Sequence, residues 1–356
     1  MADVKYDERV AIDKVLYWEF IKYNTLSKLI HKEYYNNPSE IINVYIDLYQ
    51  ILITIHRYVK IDNYFCICAI IINYCAHLRH FFKKLNVYAN IVLVYGDKSS
   101  KNITQFIPEY NTFYKNRIKS NGKINSVVKS NMELLRKLVP YLPNIYFREG
   151  TVESAVIMHD IIQRKLIGIA PSLVISNSQY MYQLPLFSKS VKVINKSNSI
   201  KMQEDTTYSY NCNNALDAYL YEVKDVVLHN HFNQNTLSFI MSVLGLPKLS
   251  VLSMGMNYKT ALRISNSIPI GYEQDYEVIG EVYNNYLIKN KIKNKPSVES
   301  IINRFKGIDL GYQYSLYKLL PEYSETSFLN KLEDKEAVQY INNNYFEKCP
   351  IYLDEL

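Results

Sequence analysis

Leu173-Val-Ile-Ser176-Asn-Ser178-Gln-Tyr180-Met-Tyr-Gln183-Leu184 is the stretch that decides the fold of this 356-residue chain. An apolar run that ends in small polar residues is typical of a buried strand that delivers a loop to the carboxyl edge of a sheet. Active and binding sites of α/β folds collect at that edge. The stretch therefore predicts an α/β fold, with Ser176, Ser178 and Tyr180 close to any functional site.

The pattern around this stretch alternates between strands and helices. Apolar runs predict strands near 43–47, 90–95, 172–176 and 191–194. Helical periodicity predicts helices near 48–60, 64–84, 126–139 and 152–165. Such alternation favours a parallel sheet covered by helices on both faces.

The stretch also resembles the strand and loop of the flap endonuclease and phage 5′-nuclease family, whose α/β domain is PIN-like. The family pattern is roughly Ile-Val-Ser-Gly-Asp-x-Asp-x-x-Gln-Leu, and both Asp side chains hold divalent metal. In this chain Ser178 and Tyr180 stand at the two Asp positions. The resemblance implies a PIN-like parallel sheet flanked by helices, followed by a helical domain with a helix-hairpin (H3TH-like) element.

Three further segments that resemble the family and carry acids lie earlier in the sequence, in the same order as in the family. Val44-Tyr-Ile-Asp47 is similar to the first strand, and Ile91-Val-Leu-Val-Tyr95-Gly-Asp97 to the second, with its acid and glycine transposed. Gly150-Thr-Val-Glu153 matches a helix start in which only the Glu survives. The resemblance implies that Asp47, Asp97 and Glu153 are the remaining metal ligands, and the catalytic acids if the chain is active.

Two more landmarks resemble the family's DNA contacts. Ile107-Pro-Glu-Tyr110 through Lys115-Asn-Arg117 is similar to the base of the arch that clamps a DNA end, where aromatic and basic side chains interleave. Met254-Gly255-Met-Asn257-Tyr-Lys259-Thr260-Ala261 is similar to the helix-hairpin, where a helix start offers amides to a phosphate. For the first segment, the alternative is that aromatic and basic residues alternate by chance in a Tyr-rich chain. For the second, the alternative is an ordinary helix start with basic side chains that face solvent. The candidate nucleic-acid-binding residues are Tyr110, Lys115, Arg117, Gly255, Lys259, Thr260 and Arg263.

The missing acids bear directly on catalysis. Two-metal hydrolysis needs several carboxylates around ions roughly 3.5–4 Å apart, and Mg²⁺ prefers oxygen ligands. Ser178, Tyr180 and Lys248 cannot replace carboxylates, so we expect a pseudo-nuclease that requires no cofactor and holds one Mg²⁺ at most. Alternatively, Asp47 caps the next helix and Glu153 lies in the first turn of its own. His159 and Asp160, one turn further on, are expected at the surface.

Composition permits an anionic partner without requiring one. Lys and Arg number 41 against 34 Asp and Glu, a net charge of +7, which is a mild excess. The 34 Tyr and heavy use of Asn, Lys and Ile are typical of AT-rich genomes, so we predict a virus- or phage-encoded protein. Residues 1–8 lack the basic start and apolar core that are typical of a signal peptide, and the apolar run 65–76 is shorter than the ~20 residues that span a bilayer. We therefore expect no membrane association and an intracellular location in host cytoplasm.

Three of the five cysteines, together with two histidines, raise a separate metal hypothesis. Cys66, Cys68, Cys75, His77 and His80 lie close in sequence, as zinc ligands often do. However, residues 64–84 form one apolar helical pattern without the turn that a tetrahedral site needs. We expect reduced thiols that act as small core residues.

The sequence divides into four predicted regions. An N-terminal helical extension covers 1–40, the PIN-like α/β domain 41–205, a helical hairpin-type nucleic-acid-binding region 206–310 and a C-terminal helical tail 311–356. The predicted function is a catalytically degenerate 5′-nuclease-like protein. It would bind branched or single-stranded nucleic acid, with DNA favoured, or scaffold protein partners of a viral replication, recombination or transcription complex. The alternatives are an active divergent Mg-dependent flap endonuclease or 5′–3′ exonuclease, using acids such as Asp160, Asp205 or Asp217, and an interaction protein without nucleic-acid binding.

Overall fold

The computed structural model describes most of the chain between residues 41 and 319. The described ranges are 41–49, 51–52, 64–96, 101–110, 122–176, 178–196, 207–226, 228, 232–247, 251–292 and 296–319. The predicted N-terminal extension, most of the predicted C-terminal tail, and the candidate residues Asp97, Lys115 and Arg117 lie outside them.

A six-stranded sheet forms the centre of the α/β part. Five strands are parallel and the last is antiparallel, in the spatial order β3-β2-β1-β4-β5-β6. The predicted parallel α/β fold is thereby confirmed. The strands are β1 (Ile41–Asp47), β2 (Tyr88–Gly96), β3 (Ile145–Gly150), β4 (Ser172–Ile175), β5 (Val191–Lys196) and β6 (Thr207–Tyr210).

The strand order puts a topological switch point between β1 and β4. The chain builds outward from β1 to β2 and β3, and then returns to the other side of β1 to start β4. At such a point the loops after the two central strands diverge and leave a crevice at their carboxyl ends. Asp47 ends β1 and Ser176 follows β4, so the order of the sheet brings these two residues together.

Helices flank the sheet and then make up most of the rest of the described chain. The helix predicted over 64–84 has those bounds, and those predicted near 126–139 and 152–165 are present with shifted ends. The helices are α1 (Tyr64–Lys84), α2 (Lys101–Phe106), α3 (Gly122–Leu138), α4 (Ser154–Gln163), α5 (Leu184–Phe187), α6 (Ala215–Lys224), α7 (Leu237–Leu244), α8 (Tyr258–Ser265), α9 (Tyr276–Lys289), α10 (Val298–Ile308) and α11 (Leu310–Tyr317).

One face of the sheet packs against α1 and α3. Alternate residues of β1, such as Ile42, Val44 and Ile46, point to this face and are fully buried there. Cys68 and Cys75 of α1 are also fully buried, and burial raises the pKa of the Cys75 thiol to about 12. The described cysteines of α1 are therefore protonated core residues, as the helical pattern predicts.

The opposite face of the sheet packs against the helical region. Val92, Val94 and Val174 of the sheet share one apolar core with residues of α4, α7, α8, α9, α10 and α11. Because that core crosses the predicted boundary at 205–206, the sheet and the helices after it are packed together rather than joined only by the chain. Within the described residues, no helix combines the length and apolar character needed to cross a membrane.

Candidate functional site

Asp47 is the centre of the candidate site and is fully buried. The Ser176 hydroxyl donates to its Oδ2 at 2.9 Å, and the Ser154 hydroxyl donates to its Oδ1 at 3.3 Å. Both carboxylate oxygens are therefore engaged by serine hydroxyls from two neighbouring elements. A role for Asp47 as a helix cap alone does not account for these two hydrogen bonds.

Ser154 reaches Asp47 because the end of β2 packs directly on the start of α4. The Gly96 amide donates to the Ser154 hydroxyl at 3.1 Å. A Cβ atom added to Gly96 would lie 2.1 Å from the Ser154 nitrogen and 2.5 Å from the Val152 oxygen, so only glycine fits this contact. The transposed glycine of the second strand thus has a packing role, whereas Asp97 lies outside the described residues.

Glu153 occupies the N-cap position of α4, one residue before the first turn in which the capping alternative placed it. Its side chain is 3% exposed and makes no cap hydrogen bond. The Tyr110 hydroxyl donates to its Oε1 at 3.5 Å. Tyr110, a candidate for stacking on nucleic acid, is itself 4% exposed, so its ring is closed off from solvent in this arrangement.

Ser178 and Tyr180, at the two places where the family has metal-binding Asp, face inward. Tyr180 is 1% exposed, and its hydroxyl donates to the backbone oxygen of Gly307 at the end of α10, at 3.1 Å. Burial, and to a lesser extent the negative charge of Glu153, raises the pKa of Tyr180, which stays a neutral donor. Ser178 is buried too, and its hydroxyl has no hydrogen-bond partner among the described residues.

This donor set does not fit a pair of magnesium ions. Within the described ranges no group of three or more His, Cys, Asp or Glu side chains converges on a common point. The Asp47 carboxylate is surrounded by serine hydroxyls, and the large ring of Tyr180 fills the place where the family has a second acid. Two-metal chemistry needs several carboxylates, so no hydrolytic step can be derived from these residues.

The expectation that His159 and Asp160 lie at the surface is wrong. They are 5% and 0% exposed, because α11 packs over the face of α4 that carries them. The His159 ring packs edge-on against Phe187 and Tyr314, with centroids 4.7 and 4.6 Å apart. Burial, with a smaller effect of Lys318, lowers the pKa of His159 to about 4. The pair is therefore part of the core between α4 and α11.

The remaining alternative acids are scattered. Asp160 accepts a hydrogen bond from the Tyr314 hydroxyl at 3.3 Å and lies 3.9 Å from Arg164, away from the Asp47 contacts. Asp217 lies in the first turn of α6 and is partly exposed, and Asp205 is outside the described residues.

The predicted helix-hairpin corresponds to α7 and α8, and the described residues of the connection between them are 245–247 and 251–257. The turn begins at Gly245, and Leu246 pairs with Val251 in an isolated bridge. The N-cap of α8 is Asn257, whose side chain accepts from the Thr260 amide at 2.8 Å. This cap uses one of the amides that the sequence offers to a phosphate.

The basic side chains of the hairpin face solvent. Lys259 and Arg263 are exposed on α8, and Thr260 is partly exposed. Gly255 has a φ of +79°, and a Cβ atom there would meet open space, so its backbone can be approached from outside. The turn and α8 therefore present an exposed glycine, a helix start and two cations on one short segment, which suits a phosphate group.

Two buried residues that organise the site are missing from the sequence prediction. Gln183 donates to the Ile308 oxygen at 2.9 Å and accepts from the Ser238 hydroxyl and the Leu310 amide. Arg304 donates hydrogen bonds to the Ser242 and Leu252 backbone oxygens and to the Glu109 carboxylate. Gln183 could have been identified from the sequence, because it belongs to the Gln-Leu pair of the resembled motif. Arg304 could not, because a single arginine in an amphipathic helix such as α10 gives no such signal.

No protein-family model matches the sequence, and no curated protein matches it significantly. Solved structures do match. The T5 D15 protein co-crystallized with metal ions has a TM-score of 0.49 at 12% identity, over 88% of this chain and 98% of that one. The catalytic core of Rad2 in complex with DNA substrate has a TM-score of 0.43 at 10% identity, over 89% and 90%. Human GEN1 in complex with Holliday junction DNA has a TM-score of 0.45 at 12% identity, over 88% and 70%.

A further match is a T5 5′-exonuclease, and the similarity to all of these structures is one of fold. TM-scores under one half, with identities of 10–12%, carry no argument about activity, substrate or partner. What this chain does has to be argued from its own residues.

Proposed function

We propose that this chain is a catalytically degenerate 5′-nuclease-like protein that binds branched or single-stranded nucleic acid, with DNA favoured, and that serves as a scaffold rather than an enzyme. The observation that carries the proposal is the state of Asp47. Its carboxylate is fully buried, and both oxygens accept serine hydroxyls. A carboxylate held in this way stabilises the fold and is not offered to a hydrated metal ion.

The surroundings of Asp47 support the same proposal. Glu153, Ser176, Ser178 and Tyr180 are each at most 3% exposed, so a phosphodiester in solution has no path to them in this arrangement. Substrate and catalytic groups must come within hydrogen-bond reach for hydrolysis. We infer that the pocket has become part of the core and that the protein requires no metal cofactor.

Nucleic-acid binding is proposed from the outer surface of the hairpin and the segment after α2. Lys259, Thr260 and Arg263 are offered to solvent beside Gly255, and Lys115 and Arg117 add cations earlier in the sequence. The net charge of +7 is compatible with a polyanionic partner such as nucleic acid. The scaffolding role then places nucleic acid beside protein partners of a replication, recombination or transcription complex, in the host cytoplasm if the chain is virus- or phage-encoded.

A cleavage assay separates this proposal from an active, divergent nuclease. Purified protein is incubated with labelled 5′-flap DNA and either Mg²⁺ or Mn²⁺. We expect full-length DNA after long incubation, with the wild type and with Asp47→Asn. Turnover that Asp47→Asn abolishes would show that Asp47, Asp97 and Glu153 still form a metal site.

A binding titration separates the proposal from an interaction protein without nucleic-acid binding. The logarithm of the binding constant falls linearly with the logarithm of the salt concentration when cations replace counterions on phosphates, with a slope of roughly −0.7 to −0.9 per contact. We expect a clearly negative slope that becomes shallower by about one unit in Lys259→Ala. A slope near zero would show that the protein does not bind through phosphate contacts.

A further inference from the structure

Leu252 is an exposed apolar residue in the connection between α7 and α8. It is 55% exposed, whereas Val251 before it is 2% exposed. Leu246 and Val251 exchange backbone hydrogen bonds of 2.8 and 3.1 Å in an isolated bridge. Because successive side chains of bridged, extended backbone point to opposite sides, the burial of Val251 turns Leu252 outward.

The backbone that carries Leu252 is held from the inside of the molecule. Arg304, which is 6% exposed, donates from a terminal nitrogen to the Leu252 oxygen. Two residues further on, the Met254 amide donates to the Val243 oxygen of α7 at 3.0 Å. Folding the leucine back onto the core would sacrifice these hydrogen bonds, so the fold itself presents this side chain to solvent.

The surroundings of Leu252 are small, polar or cationic. The exposed residues that follow it in the connection and on α8 are Ser253, Gly255, Asn257, Lys259 and Arg263. A stable protein interface buries roughly 800 Å² on each partner around an apolar centre, which a single leucine in such surroundings does not offer. A nucleic-acid backbone suits them better, because it joins each anionic phosphate to a sugar ring rich in carbon.

The spacing along the chain fits one phosphate and its sugar. Leu252 and Gly255 are three residues apart, so their Cα atoms are at most about 10 Å apart. The side of Gly255 where a Cβ atom would project is open space. A phosphate that approaches there brings the sugar bonded to it within reach of the Leu252 side chain.

We infer that Leu252 makes the hairpin select a DNA strand over an RNA strand, by packing against the 2′ carbon of the sugar. The inference rests on the proposed nucleic-acid binding and deepens it, because it names the feature of the strand that is recognised. The 2′ position carries only hydrogen in DNA and a hydroxyl in RNA. A hydroxyl pressed against a leucine loses water and gains no hydrogen bond, which disfavours RNA.

Single strands of equal length that differ only at the 2′ position test the inference. They are oligomers of deoxyuridine, uridine and 2′-fluorouridine, and fluorescence anisotropy with the full chain measures their affinities. We expect the wild type to bind the deoxyuridine strand about fivefold more tightly than the uridine strand. The fluoro strand keeps the sugar shape of RNA without the hydroxyl, and we expect it to bind like the deoxyuridine strand.

Leu252→Asn removes the apolar contact, and its amide is able to bond a 2′-hydroxyl. We expect it to reduce the preference for deoxyuridine over uridine to less than about twofold. Ile288→Asn is the matched control. Ile288 is 62% exposed in the last turn of α9 and precedes the exposed Lys289, so the same change is made beside a cation outside the hairpin. We expect this control to keep the full preference.

Lys259→Ala separates the phosphate contact from the sugar contact. All of the strands carry the same phosphates, so this variant should weaken their binding by the same factor and leave the preference for deoxyuridine unchanged. Unchanged affinity of Lys259→Ala would place the binding outside the hairpin and overturn the inference.

The outcomes separate this inference from the proposed function, with folding of each variant checked by circular dichroism. If the wild type binds neither the strands nor a 5′-flap duplex, the proposed function fails and the inference fails with it. If the wild type binds only the flap, shows no preference for deoxyuridine, or keeps its preference in Leu252→Asn, the role of Leu252 is wrong and the proposed function stands. A 2′-fluorouridine strand that binds like uridine would also overturn the inference, by showing that the sugar shape is recognised and not the hydroxyl. Equal loss of preference in Ile288→Asn would do the same.

Discussion

At the scale of single residues, Asp47 shows how a buried carboxylate at the edge of a sheet can serve the structure. Its oxygens accept hydroxyls from Ser154 and Ser176, and each serine is in turn bonded to a backbone amide, that of Gly96 or Ser178. These bonds join the ends of β1, β2 and β4 in one buried polar network. The sequence identifies Asp47 through its strand, but the serine contacts depend on the strand order.

We predict that Asp47→Asn destabilises the fold by about 1–3 kcal/mol, because an amide offers one acceptor where the carboxylate offers two and leaves a buried serine poorly paired. Urea denaturation measures the change. Asp225→Asn is the control, since Asp225 is exposed at a left-handed φ of 56° that Asn also tolerates. Unchanged stability of Asp47→Asn would contradict the structural role.

His159 predicts a pH dependence of stability. Its folded pKa of about 4 lies below the ordinary value of 6.5, so between these values the unfolded chain binds a proton that the folded chain does not. The stabilisation is complete above pH 6.5 and is lost as the pH falls toward 4, with a slope on the order of 1.4 kcal/mol per pH unit.

The test compares the wild type with His159→Phe, which keeps a ring between Phe187 and Tyr314. The wild type should lose stability relative to His159→Phe as the pH falls from 6.5 to 4. Burial raises the pKa of Asp160 and of Asp309, which acts in the opposite sense but is common to both proteins. Equal pH profiles would place the His159 ring in solvent.

At the scale of elements, the loop after β4 ties the sheet to the helical region. The Tyr180 hydroxyl donates to the Gly307 oxygen of α10, and Gln183 bonds Ile308 and Leu310. We predict that Tyr180→Phe costs about 1 kcal/mol, since one hydrogen bond is lost.

Restoring the family acid at this position should be harmful. Tyr180→Asp leaves a cavity and a buried carboxylate without a cation, which together cost about 3–5 kcal/mol. Thermal denaturation with and without Mg²⁺ is the measurement. Stabilisation of Tyr180→Asp by Mg²⁺ to the level of the wild type would show that a metal pocket has been retained.

The hairpin depends on Gly245 for a different reason than on Gly255. At Gly245 the φ is +85°, and a Cβ atom would lie 2.4 Å from the Val251 oxygen, whereas at Gly255 it would meet open space. Gly255→Ala is therefore the matched control, with a cost of about 1–2 kcal/mol from φ alone.

We predict that Gly245→Ala costs at least about 1 kcal/mol more than Gly255→Ala, because the backbone of Val251 and Leu252 must move away from the added Cβ atom. It should also weaken nucleic-acid binding. Gly255 is itself a candidate nucleic-acid contact, so Gly255→Ala is the control for stability alone. Denaturation and anisotropy measured on the same samples give both quantities. Equal losses of stability in the two variants would mean that the backbone around Gly245 accommodates the added Cβ atom without cost.

The sequence correctly predicted those helices and strands whose apolar pattern lies entirely within the element itself. The helix at 64–84 carries an unbroken apolar pattern, and the strands at 43–47 and 90–95 are apolar runs. The strand at 145–150 was missed because Arg148 and Glu149 interrupt its apolar run. β6 was missed because its four residues, Thr-Tyr-Ser-Tyr, form no apolar run.

At the scale of the whole molecule, the features that sequence could not provide are those made by distant contacts. His159 is buried by α11, about 150 residues further along the chain, as its contact with Tyr314 shows. Arg304 meets Glu109 at a separation of 195 residues. Local periodicity carries no information about such pairs. The motif order nevertheless located the sheet edge at which Asp47, Glu153, Ser178 and Tyr180 lie.

For the molecule as a whole, we propose that it holds nucleic acid on its surface while the residues around Asp47 stay closed to substrate. The most direct measurement follows binding and cleavage in one sample, with the full chain in excess over an end-labelled 5′-flap DNA in the presence of Mn²⁺. We predict an anisotropy increase that shows complete binding, and a labelled strand that keeps its full length. Shortened product that disappears with chelator and in Asp47→Asn would contradict the account.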